Sequence, residues 1–203
     1  MSGVCDIIIP TCRPREDVAL QAAEIEVTAG LPCRVIATCQ QASASVNRNY
    51  GLDQSESDPL IMVDDDMERF PQGWAVRLLQ VLRDNPKCVM VSPRLARPDG
   101  SPGIMMGNAD ALTDGVTVCG ERKLCTACIA IRRNALRFDE EFIGSGWEDA
   151  DYCCQLVLAF PDAEFCVCHG LWIVHLNQMK NQGGTYWDYN KALYHRKWEH
   201  QGI

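Results

Sequence analysis

Residues 60–67, LIMVDDDM, constrain this chain more than any other stretch: a short aliphatic run is cut off by three consecutive carboxylates, Asp64, Asp65 and Asp66. A run this short and wholly apolar reads as a buried strand. The abrupt change to aspartate puts the carboxylates at the strand's C-terminal end, where open α/β sheets collect ligands. Three anions so close repel one another, so they stay ionised only in full solvation or beside a cation. A solvated acidic turn meets the first condition. Oxygen coordination of Mg2+ or Mn2+ by Asp64 and Asp66, shared with substrate phosphates, meets the second.

The segments on either side place this strand in a sheet. VCDIIIPTCRP opens with an isoleucine-rich strand closed by Pro10, then passes through Thr11 and Arg13 to Pro14, suited to the first turn of a helix. Ala19, Ala22, Ala23 and Val27 recur at helical spacing and Gly30 supplies a stop, which predicts a helix over 14–28. A second strand follows over 33–38, and strand, helix, strand in this order implies a right-handed βαβ unit and a parallel sheet. Ser43 caps a short helix carrying Asn47, Arg48 and Asn49. If Arg48 faces the sheet end, it is positioned for a phosphate or a carboxylate. Beyond the aspartates, Pro71 starts a helix whose Trp74, Leu78, Leu79 and Leu82 form a core face, and 88–92 is a fourth strand. Residues 93–120 are rich in Gly, Pro and Asp with little periodicity, the mark of a long functional loop.

In the second half, LCTACIAIRRNAL reads as a strand passing into a short helix. GSGWEDADY then sets a glycine turn and Trp147 before a helix whose first turn holds Glu148, Asp149 and Asp151. The helix dipole favours acids there, and the same position presents a carboxylate to a pocket floor for base catalysis. EFCVCHGLWIVHLNQ reads as two strand-like segments with His175 at the end of the last. A loop containing Lys180 and an aromatic helix over 185–200 follow, and Trp187, Tyr194 and Trp198 of that helix read as packing residues.

Composition narrows the function. With 203 residues, 47% hydrophobic and 23% charged, the chain is expected to form one domain over 1–203. A net charge of -8 argues against a broad nucleic-acid surface, so a phosphate partner should bind through a metal or a focused site. No window reaches the ~18 apolar residues of a membrane span and the first residues lack a signal pattern, so a cytoplasmic protein without a transmembrane segment is expected. The 12 cysteines, mostly inside apolar runs, read as reduced buried thiols. Cys125, Cys128, Cys166 and Cys168 can be drawn as a four-thiolate zinc site. Both segments read as strands, however, and residues three apart on a strand point to opposite faces.

Taken together, IIIPTCRP, NRNYG, VDDDM, GSGWEDADY and the late His175 resemble the GT-A nucleotide-sugar glycosyltransferases, family 2 type, over roughly residues 4–180. The resemblance implies an α/β, Rossmann-like GT-A fold with a central, mostly parallel sheet flanked by helices. Residues 1–100 would form the nucleotide-sugar-binding half, and 101–203 the acceptor half with a C-terminal lid and helix. It implies that Pro10, Thr11 and Arg13 line the nucleotide pocket, that Arg48 approaches the uridine or diphosphate, and that Asp65 lies near the ribose or sugar. Asp64 and Asp66 match the first and third positions of a DxD motif and, with His175, would hold Mn2+ or Mg2+. Asp149 matches the catalytic base, Glu148 and Trp147 would bind substrate, and Lys180 would meet the diphosphate. One departure is VIATCQQ, where many relatives carry an aspartate for the uracil ring.

The implied activity is transfer of a sugar from a nucleotide-diphosphate donor, a UDP-sugar, to a glycan or other hydroxyl acceptor, with inversion. A nucleotidyltransferase also uses acids and Mg2+ on a nucleotide-binding sheet, but PTCRPRED lacks its glycine-rich loop. A noncatalytic nucleotide-sugar-binding module would keep the same aspartates without turnover.

Overall fold

A computed structural model describes residues 3–103, 115–176 and 185–200. Its strands are β1 (Cys5–Ile9), β2 (Cys33–Ala37), β3 (Leu60–Val63), β4 (Met67–Glu68), β5 (Cys88–Ala96), β6 (Val116–Val118), β7 (Cys128–Ile131) and β8 (Glu164–His175). Its helices are α1 (Ala19–Thr28), α2 (Ala44–Gln54), α3 (Trp74–Asp84), α4 (Glu148–Ala159) and α5 (Trp187–Trp198). The sheet runs β2-β1-β3-β7-β5-β8-β4, with β6 paired to β8. β2, β1, β3, β5 and β8 point one way and β7, β4 and β6 the other, as the parallel and antiparallel pairings require. The chain is thus an α/β protein with a mostly parallel central sheet flanked by helices.

Side chains alternate across the pleat, so each central strand feeds both layers. Ile7, Ile9, Ile61 and Val63 pack on one face with Ile25 of α1 and Trp74, Leu78 and Leu82 of α3. Ile8, Leu60 and Met62 pack on the other with Leu52 of α2 and Tyr152 and Leu156 of α4. This two-sided burial is why β1 and β3 are written in continuous aliphatics. A smaller cluster, Phe142, Ala150, Cys154, Leu193, Tyr194 and Trp198, joins α4 to α5.

Several sequence expectations change in detail. The predicted first helix begins as a 3-10 turn over Arg15–Val18, and α1 proper starts at Ala19. The fourth strand does not stop at residue 92: β5 continues through Pro93 to Ala96, with a register shift against β8 between Pro93 and Arg94. A proline is tolerated at such an irregularity because the ladder is interrupted there. The two strand-like segments of 164–175 are one twelve-residue strand that absorbs the same shift. The short helix expected directly after β7 does not form over 132–136, and the expected strand from Leu124 begins only at Cys128. Ser43 caps α2 as expected, accepting from Val46 N. All twelve cysteines are free; Cys12 is exposed, and Cys33, Cys39 and Cys125 are half-buried. Among the described residues no helix is long and apolar enough to cross a membrane.

Candidate functional site

β3 delivers Asp64 to the sheet's C-terminal edge, where its backbone N donates to Ala127 O at 2.7 Å. Gln21 of α1, which carried no sequence signal, pins the turn: its amide donates to Asp64 O at 2.7 Å and to Met67 O at 3.0 Å. The chain then returns as β4, antiparallel to the end of β8, with Met67 opposite His175. That register brings His175 Nε2 to 3.2 Å from Asp66 Oδ1, while Leu176 N donates to Asp66 O at 3.0 Å. Single donor atoms of Asp64, Asp66 and His175 all lie within 4.8 Å of one another.

Two carboxylates and an imidazole form an oxygen and nitrogen donor set that suits Mn2+. Three protein ligands also leave coordination positions for a substrate. Burial opposes charging His175, but the hydrogen bond and charge of Asp66, with Asp64 behind it, hold its pKa above the ordinary histidine value. Asp64 is pushed up to about 6 by burial, against the pull of Arg48, with Asp66 adding to the rise.

Asp65 turns toward the first strand's exit. Its Oδ2 accepts from the Thr11 hydroxyl and its carbonyl accepts from Arg13 Nη1 at 3.1 Å, while Arg13 N donates to Thr11 Oγ1 at 2.9 Å. Thr11 N donates to Thr38 Oγ1 at 3.1 Å, and that hydroxyl donates to Asn47 Oδ1 at 2.6 Å. Half-buried Pro10 leads into this hydrogen-bonded corner, so Pro10, Thr11, Arg13 and Asp65 are brought together beside Asp64.

Arg48 meets carboxylates, one of the two kinds of partner its place in the sequence suggested. It is buried, with Nη1 at 2.8 Å from Glu148 Oε1 and Nη2 at 3.0 Å from Asp64 Oδ1. Both ends of its guanidinium are taken by carboxylates, whose charges outweigh the cost of burying the cation. Glu148 likewise spends its second oxygen on Gly146 N, so it braces the glycine turn from inside instead of presenting a free carboxylate.

Asp149, the next residue, is half-buried with Oδ1 accepting from Ala150 N at 2.8 Å. Burial, and then the charge of Glu148, push its pKa up to about 7. Trp147 caps α4 in the left-handed region at φ 73° and packs on Trp187 and Tyr194 at ring-centroid distances of 5.5 and 5.1 Å. Asp151, in the same first turn, points into α5 and accepts from Trp198 Nε1 at 2.9 Å. Asn190 of α5, also missed in the sequence, accepts from Ile143 N and donates to the carbonyls of Ile143 and Gly146. Lys180 lies outside the described residues.

Against known proteins, no family model matches the chain and no curated protein sequence matches it. Solved structures do match. The crystal structure of GalNAc-T7 with UDP, GalNAc and Mn2+ aligns over 98% of this chain with a TM-score of 0.64 and 13% identity. The fold is GT-A-like. This chain covers 42% of the GalNAc-T7 chain. The crystal structure of A197 from STIV aligns over 86% of each chain with a TM-score of 0.50 and 13% identity. At 13% identity the likeness is one of fold.

Proposed function

We propose that this chain is a metal-dependent glycosyltransferase that moves a sugar from a nucleotide-diphosphate donor, a UDP-sugar, to an acceptor hydroxyl with inversion. The observation carrying this reading is the convergence of Asp64, Asp66 and His175 at the end of β3, on a GT-A-like fold, with Arg48 joining that cluster to the helix of Asp149. The presence of UDP, GalNAc and Mn2+ in the GalNAc-T7 crystal structure supports the same donor and metal class.

Asp64, Asp66 and His175 would hold Mn2+ or Mg2+, which when bound neutralises the charge that develops on the diphosphate leaving group. In the proposed step the acceptor oxygen bonds to the anomeric carbon as the bond to the diphosphate oxygen breaks. The leaving oxygen keeps that electron pair, and the acceptor's proton passes to Asp149. A carboxylate with a pKa of about 7 is basic enough to accept this proton while remaining substantially ionised at neutral pH. Pro10, Thr11, Arg13 and Asp65 frame the nucleotide side, Trp147 borders the sugar, and Lys180 is the cation proposed to meet the diphosphate. Arg48 and Glu148 act from beneath, holding the two halves of the site in register. Residues 1–100 serve the donor and 101–203 the acceptor within one domain.

A screen of nucleotide sugars for Mn2+-dependent hydrolysis tests this without knowledge of the acceptor. Release of UDP that disappears in chelator and in Asp66→Ala is expected. Failure of every nucleotide sugar to be hydrolysed, or hydrolysis indifferent to Asp66, overturns the proposal.

A further inference from the structure

β8 reaches Asp66 only after an irregularity in its pairing. Pro93 of β5 pairs with Cys168 and the next residue, Arg94, pairs with Trp172, so His169, Gly170 and Leu171 have no counterpart in β5. Beyond this insert β8 meets β4, with Met67 opposite His175. An insert in a strand re-aims every side chain that follows it, because each residue added or removed turns the later ones to the opposite face.

Arg94 spans the insert. Its Nη1 lies 3.1 Å from Nδ1 of His169 at the start, and its Cζ lies 5.0 Å from the ring centre of Trp172, the residue just past the end. An arginine can only donate, so Nδ1 accepts and the imidazole proton sits on Nε2, 2.7 Å from Thr117 Oγ1 of β6. Burial, and then the charge of Arg94, hold the His169 pKa below the ordinary histidine value, which keeps Nδ1 open as an acceptor. The backbone of the insert is fastened as well. His169 N donates to Gly115 O at 2.9 Å, and Arg77 of α3 donates to Gly170 O at 2.7 Å. Leu171 is buried in the core, and Arg94 and His169 are only 4% and 1% exposed.

We propose that Arg94 and His169 are positioning residues: by holding both ends of the insert they fix the register that brings His175 to Asp66. Apolar side chains would fill the same space without desolvating a cation, but they would not fix direction. The consequence for Mn2+ affinity rests on the metal reading above, whereas the register itself needs no ion.

Interstrand NOEs between Met67 and His175 in the metal-free protein report the register, and EPR of Mn2+ reports affinity without any nucleotide sugar. His169→Phe keeps a ring but neither nitrogen. It should lose those NOEs and bind Mn2+ at least about tenfold more weakly, the scale for losing a partner that orients a metal ligand. His169→Gln keeps an acceptor for Arg94 and a donor for Thr117, and should restore both readings. Leu82→Ala, a core truncation in α3 that also costs stability, should change neither. If His169→Phe does not fold, Arg94→Lys should show the same losses, because one ammonium cannot hold His169 and cover Trp172 at once. Unchanged NOEs in the folded His169→Phe or Arg94→Lys protein, or equal losses in Leu82→Ala, overturn the inference. Loss of the NOEs in these variants, where the wild type binds no Mn2+, supports the positioning role and sinks the metal reading instead.

Discussion

Arg48 and Glu148, 100 residues apart in sequence, meet at 2.8 Å with side chains only 4% and 5% exposed. Since Arg48 also reaches Asp64 at 3.0 Å, one guanidinium holds a carboxylate of the Asp64, Asp66 and His175 cluster and the first residue of α4 in fixed relation. Removing it strands two carboxylates, one of them deeply buried. Arg48→Ala should therefore destabilise the protein by about 3–5 kcal/mol, the range for breaking a buried ion pair. Arg48→Lys should recover only part of this, because an ammonium lacks the planar fork that spans both partners. Urea unfolding of the two variants checks the order.

Asp66→Ala should weaken UDP-sugar binding in Mn2+ by at least about tenfold, the least that loss of even an outer-shell partner of a bound metal costs, and leave binding in chelator unchanged. His175→Ala should follow the same pattern with a modest shift in melting temperature, since its residue sits at the end of β8 and is only partly buried. Calorimetry with and without Mn2+ separates the two effects. A large fall in melting temperature with metal affinity intact would make His175 structural.

Asp149→Asn keeps size and removes the proposed base, so transfer should fall by roughly 10²–10⁴-fold while donor affinity changes little. In the parent protein, kcat/KM should rise with pH through about 7 as Asp149 loses its proton. The rise should vanish in Asp149→Asn. A product that keeps the donor's anomeric configuration would contradict the inverting step.

The same shift predicts a cost in stability. Asp149 titrates near 3.8 when unfolded and near 7 when folded, so between those values the folded protein binds the extra proton. Stability is then lost as pH rises through that window, and no contribution remains below it. Asp149→Asn should raise the melting temperature at pH 8 by a few degrees, roughly, and leave it unchanged at pH 3 if the fold persists there. Melting curves across pH test the sign.

Asp151 should behave differently although it lies two residues away. Its carboxylate is buried against Trp198 Nε1, Lys197 Nζ and Gln155 Nε2 at 2.9, 2.5 and 2.7 Å. Asp151→Ala leaves the ammonium of Lys197 with one fewer carboxylate and the indole without an acceptor. The expected cost is about 3–5 kcal/mol, with α5 loosening first in hydrogen exchange. Donor hydrolysis measured well below the melting temperature should survive.

What the sequence determined by itself was local. Aliphatic runs bounded by Pro10, Asp64 and Gly30 define β1, β3 and the end of α1, and Ser43 announces α2, because periodicity and chain breakers act over a few residues. The strand-to-acid boundary at Asp64 also marked where Asp64, Asp66 and His175 converge. Two- and three-residue strands such as β4 and β6 carry no periodicity, so they emerged only from pairing with β8. Tertiary structure alone decided that Arg48 is held by Glu148 and Asp64, and that Asn190 fastens the glycine turn. It likewise separated Asp149, free of a cationic partner within hydrogen-bond reach among the described contacts, from Asp151, sealed into α5. His175 reaches Asp66 because β4 meets β8 in one register, and a slip of one residue would turn its imidazole to the opposite face.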